Sequence, residues 1–201
     1  MKGKNLERRS LTRVLAGVTM CLGLLAVGTK ALAQEPSIQF LNAIASRGCR
    51  IDKQLIGSDG RTLSLFLQDM RASGDSRRTC LLRVDTLIPS GFHVQDVQFL
   101  YQGSTEVASG SKGASLSRSY TFTGGALGVA TAKPQTTNFK ATEPLFQVQD
   151  PVTVASASCG GQGQLGVNMI AKSSPGSSIY VDTADVNAGH VQIHLDIAPC
   201  K

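Results

Sequence analysis

An all-β, antiparallel sandwich of jelly-roll type is the fold this sequence predicts, and three observations predict it. Apolar residues recur with period two in one short segment after another. Turn compositions such as Ser58-Asp59-Gly60, Ser73-Gly74-Asp75, Pro89-Ser90-Gly91, Gly124-Gly125 and Ser174-Pro175-Gly176 punctuate those segments. Four cysteines outside the N-terminal leader provide for two structural disulfides, a common support for small exported β domains.

The first element is an export leader. Lys2, Lys4, Arg8, Arg9 and Arg13 precede an apolar run from Val14 to Val27, and Ala31-Leu32-Ala33 forms a small-x-small cleavage site. Residues 1–33 are therefore expected to be a cleaved signal peptide, with the mature chain starting at Gln34. The run is shorter than the roughly 20 residues a membrane-spanning helix needs, so no membrane span is expected after cleavage. Cys21 lies within the run and leaves with it. Arg8-Arg9 keeps a twin-arginine route open beside the general secretory one.

Residues 34–45 read as an N-terminal extension, and 46–201 as a single sandwich domain. Within that domain Leu63, Leu65 and Leu67 share one face of a strand. Leu82, Val84 and Ile88 mark a second, then Val97, Phe99 and Tyr101 a third. Tyr120 and Phe122 belong to a fourth, and Val152 and Val154 to another. Leu165, Val167 and Met169 alternate with Gln164 and Asn168. The clearest alternation comes last, with Val191, Ile193, Leu195 and Ile197 inward and His190, Gln192, His194 and Asp196 outward. The Gly/Ser segments Ser109 to Ser119 and Ser173 to Ser178 read as loops.

Losing the leader changes the charge. The whole chain carries 20 Lys+Arg against 14 Asp+Glu. The leader takes six of the basic residues and one acid, which leaves a nearly neutral domain. A nucleic-acid role therefore lacks both the charge and the interleaved aromatics it needs. What remains is a mild dipole. Eight Arg and Lys side chains between Arg47 and Arg83 outnumber four aspartates, whereas acids prevail after Ala141. Such a dipole suits an anionic polysaccharide or a cell-envelope surface as partner.

Cys49, Cys80, Cys159 and Cys200 allow three pairings. Bonding within each half, Cys49–Cys80 and Cys159–Cys200, is the simplest. No two stand at C-x2-C spacing, which argues against zinc and against a redox pair.

The order of these features resembles a known family. Gly48-Cys49 is followed by Arg77-Arg78-Thr79-Cys80, Pro89-Ser90-Gly91-Phe92, Tyr101-Gln102-Gly103, Tyr120-Thr121-Phe122-Thr123-Gly124, Cys159-Gly160 and Cys200. The pattern is similar to that of the secreted family known only as domain of unknown function 4360, over about residues 45 to 200. It departs from that pattern at Thr79, where the family favours asparagine, and at Arg50, where it favours proline. The resemblance implies a secreted, β-rich, disulfide-bonded domain and the same disulfide pairing; it implies no chemistry.

Candidate sites are sparse. His190 and His194 stand about 13 Å apart on a strand, too far to share a metal ion. His194 with Asp196 is closer, and needs ligands from other strands. Asp182, Asp185 and Asn187 beside Gly189 offer oxygen donors for calcium, without the order of an EF-hand. There is no G-x-S-x-G. Hydrolysis would require His93, or His194 with Asp196, to meet a serine or a second carboxylate in a cleft. No tryptophan is present for sugar stacking. The sequence thus points to a secreted or periplasmic, non-catalytic binding or structural domain without a cofactor. A hydrolase of cell-surface polymers and a calcium-assisted carbohydrate-binding module are the alternatives.

Overall fold

The computed structural model describes residues 36–155, 157–181 and 189–201. The expected leader and the calcium candidates Asp182, Asp185 and Asn187 lie outside the described residues. The described residues form thirteen strands and one helical element, the 3-10 turn Gly125–Leu127. In chain order the strands are β1 (Gln39–Ser46), β2 (Arg50–Ile56), β3 (Thr62–Gln68), β4 (Arg71–Ser73), β5 (Arg77–Ile88), β6 (Phe92–Val107) and β7 (Ala114–Thr123). They continue as β8 (Val129–Ala130), β9 (Gln135–Phe139), β10 (Glu143–Ala155), β11 (Gly161–Ser173), β12 (Ser177–Tyr180) and β13 (His190–Pro199).

All pairings are antiparallel and form two sheets. The first has the order β1-β5-β11-β7-β9. The second runs β2-β3-β13-β6-β10-β8, with β12 joining β6 to β4. The last described strand, β13, thus lies in the interior of its sheet, between β3 and β6.

The inward residues of each strand make the core. Leu63, Leu65, Leu67, Val97, Phe99, Tyr101, Val191, Ile193 and Leu195 come from the larger sheet. Leu82, Val84, Leu116, Leu165, Val167 and Met169 come from the smaller, and all are essentially inaccessible to water. Each such side chain contributes about 1.5–3 kcal/mol of burial, set against the entropy of ordering the chain. Phe99 of one sheet stacks on Tyr120 of the other at 4.6 Å between ring centroids.

One polar link crosses this core. Arg118 of β7 makes a bidentate pair with Asp150 of β10, Nε to Oδ2 at 2.6 Å and Nη2 to Oδ1 at 3.2 Å. The side chains are only 2% and 9% exposed. The Tyr120 hydroxyl donates to the same Asp150 oxygen, and the Tyr101 hydroxyl donates to Tyr120 at 3.0 Å. Arg118 also donates to the Leu116 carbonyl and the Thr137 hydroxyl, and lies 5.4 Å from the centre of the Tyr101 ring. The charges are therefore buried but fully hydrogen-bonded, the condition under which such a pair is tolerated.

Two disulfides close the fold. Cys49, between β1 and β2, bonds to Cys80 on β5. Cys159, just before β11, bonds to Cys200 just after β13 and so joins the two sheets.

Three boundaries differ from the sequence reading. The expected Ser173–Ser178 loop shrinks to the turn between β11 and β12, because Ser177 and Ser178 pair with β6. Most of the expected extension 34–45 belongs to the sandwich, because Gln39–Ser46 pairs with β5 as an edge strand. A bulge at Leu41 shifts its register and hides the alternation. The expected Ser109–Ser119 loop ends at Ala114, where β7 begins. Its serines are the outward half of an alternation whose inward half includes Leu116 and Arg118.

Candidate functional site

The outer face of the five-stranded sheet carries the most developed surface feature. Register places its outward side chains in rows: Asn42, Asp85, Gln164 and Thr123 form one, and Ile44, Arg83, Gly166 and Thr121 the next. Ser46, Leu81, Asn168 and Ser119 follow. The inward neighbours Val84, Leu165 and Val167 lock the strands into the core, so these polar groups stand on a rigid base.

Two cavities open on this face and share Gln164 and Thr123. One, of about 350 Å³, lies between the Leu41 bulge of β1, Asp85 and Gln162. The other, of about 220 Å³, is more enclosed and surrounds Gly166, with Arg83, Thr121 and Asn168 at its sides. Gly166 creates that hollow by lacking a side chain, since a Cβ there would come within 3.0 Å of the Thr121 carbonyl oxygen. The Gln164 amide donates to Asp85 Oδ1 at 2.7 Å. That bond fixes both planar groups and leaves the second Asp85 oxygen and the Gln164 carbonyl as acceptors. Arg83 supplies donors across the same hollow. The Cys159–Cys200 bond anchors the start of β11, immediately before Gln162 and Gln164.

His194 and Asp196 do meet other groups. His194 Nε2 lies 3.2 Å from Asp196 Oδ1, and its Nδ1 lies 2.8 Å from the Thr62 hydroxyl and 3.5 Å from Asp59 Oδ2. The Thr62 hydroxyl is also 2.6 Å from Asp59 Oδ2. One hydroxyl proton cannot serve both contacts. The ring bridges the Thr62 hydroxyl on one side and the Asp196 carboxylate on the other, with Asp59 beside Thr62. The three side chains are 33–43% exposed, so the cluster is a surface ion network around the β2–β3 turn.

Slight burial pushes the Asp59 carboxyl up. The Thr62 hydroxyl, the Arg61 and Thr62 amides and the His194 charge outweigh this and hold it below its ordinary value. In the core, burial and then the bond to Asp150 push the Tyr120 phenol far above its usual range, so it stays a proton donor.

His190 stacks on Phe66 with 5.4 Å between centroids, away from any shared site with His194. His93 stands in β6 opposite Ala198. None of the hydrogen bonds among the described residues joins it to a serine or carboxylate. Also among the described residues, no group of three or more His, Cys, Asp or Glu side chains is placed to hold a metal ion. No helix among them is long and apolar enough to cross a membrane.

The sequence reading missed the cavity-bearing face. Its signal was the outward run Gln162, Gln164, Gly166 and Asn168, amides broken by a glycine, which reads as an ordinary solvated face until register aligns it with Asp85 and Arg83.

No curated protein matches this chain. Among solved structures, TmCBM61 in complex with β-1,4-galactotriose aligns with 79% of this chain and 91% of its own, at 9% identity and a TM-score of 0.33. That likeness is too distant to carry any inference about ligand. A family model described as domain of unknown function (DUF4360) matches residues 43–200.

Proposed function

The chain belongs to this DUF4360 family, which brings no assigned chemistry, and from its own geometry we propose a non-catalytic, extracytoplasmic binding domain for carbohydrate polymers. The observation that carries the reading is the pair of adjoining cavities on the outer face of the β1-β5-β11-β7-β9 sheet. Their walls are amides, a carboxylate, a guanidinium and threonine hydroxyls on rigid strands. Polyhydroxylated ligands bind to such groups through paired donors and acceptors. With no tryptophan in the chain and no aromatic side chain lining either cavity, affinity comes from hydrogen bonding to ring hydroxyls. Open, elongated surfaces of this kind fit a chain rather than a small molecule.

The leader-like residues 1–33, with an expected cleavage site after Ala33, and two disulfides of the kind an oxidising compartment maintains support export. The domain would then act in the periplasm or outside the cell. A binding screen of the purified protein against soluble plant and microbial polysaccharides tests the function. Saturable binding is expected, weakened at least tenfold by Asp85→Ala or Gln164→Ala, as for loss of a charge-assisted hydrogen bond. The length of the bound chains should remain unchanged. Binding that ignores both substitutions, or release of new reducing ends, would refute it.

A further inference from the structure

We propose that the ligand is an acidic glycan, with a carboxylate held at the far end of this face; the inference rests on the binding reading above. The outward row Arg77, Lys172, Ser115 and Asn138 continues the same sheet surface on β5, β11, β7 and β9. A third cavity, of about 250 Å³, opens there between Lys112, Lys172, Asn138 and Ser115. Asp75 also lines it. One carboxylate against two lysines leaves the cavity cationic. Arg77, beside Lys172 in that row, adds to the charge, as does Lys140, whose Nζ donates to the Lys112 carbonyl at 2.8 Å.

The opposite end of the face is mixed in charge, with Asp85 on β5 two residues from Arg83. There Asp85 and Gln164 present acceptors suited to hydroxyls and repel a carboxylate. From Gln164 to Lys172 along β11 the two ends are separated by about 26 Å at roughly 3.3 Å per residue. A ligand satisfying both is a chain several sugars long that offers hydroxyls to one end and an anion to the other. A fully neutral glycan would leave the lysines unused. A simple polyanion would meet Asp85.

The test compares polygalacturonate with its fully methyl-esterified form, which keeps the backbone and removes the charge, and with polyglutamate, which keeps the charge without the sugar. Titration calorimetry of the purified protein at low salt should show at least tenfold tighter binding of polygalacturonate than of the ester, since charge-assisted bonds to two lysines are at stake. Polyglutamate should bind more weakly than either. In the Lys112→Gln/Lys172→Gln protein, checked for an unchanged thermal midpoint, the ratio between acid and ester should fall to near one.

Equal affinity for acid and ester would overturn the acidic preference while leaving the glycan-binding face in place. A preference that survives the double substitution would overturn the assignment to these lysines. Polyglutamate binding as tightly as polygalacturonate would show a generic polyanion site instead. Failure of both glycans to bind would overturn the acidic-glycan proposal, and the polysaccharide screen decides the underlying reading separately.

Discussion

At the scale of single residues, Arg118 and Asp150 give the largest expected effect on stability. Arg118→Met strands a buried carboxylate, and should cost about 3–5 kcal/mol in urea unfolding. The double change Arg118→Met/Asp150→Leu removes both charges, and should recover much of that loss. If the double substitution proves as damaging as the sum of the singles, the account of stranded charge is wrong. Asp59 sets a pH dependence. Its folded-state value is depressed, so its contribution is full above the free aspartate value of about 3.9 and is lost as pH falls through the lower folded value. Thermal midpoints measured from pH 5 down to 2 should show a decline that is shallower in Asp59→Asn. Gly166→Val would fill the hollow beside Arg83 and press on the Thr121 carbonyl. Glycan affinity should fall at least tenfold, with the circular dichroism of the sheet retained. Of these residues only Asp59 stood out in the sequence, through its Ser-Asp-Gly turn. An inward arginine within a serine-rich segment gives no local sign, because its partner lies on the opposite sheet.

At the scale of elements, the two disulfides should separate stability from binding. Each closes a loop of a few tens of residues, and replacing either pair by serines should cost roughly 3–4 kcal/mol on the chain-entropy account. Only the Cys159–Cys200 pair fixes the start of β11 beside Gln162 and Gln164. Loss of that pair should weaken glycan binding, whereas Cys49→Ser/Cys80→Ser should leave the affinity of the remaining folded protein unaltered. Titration under conditions where both variants are folded decides this. Elements with an uninterrupted alternation, such as β3, β11 and β13, were legible from sequence. The strand β1 was not, because its bulge at Leu41 breaks the period and its edge position leaves even Ile44 half exposed. Neither was β2, whose residues are exposed on both faces and carry almost no pattern.

At the scale of the whole molecule, the order in which the chain supplies its strands matters. The fold class was readable because it depends on local alternation repeated many times. The candidate face was not, because it depends on which strand lies beside which: Asp85 and Gln164 meet across 79 residues of sequence. Only strand order brings such pairs together. The same order has a kinetic side. β13 lies in the interior of its sheet. Until it inserts, β3 and β6 lack a partner at their facing edges, beside Leu65 and Phe99. Completion of the larger sheet therefore waits on a strand that comes about 80 residues after β6 in the chain.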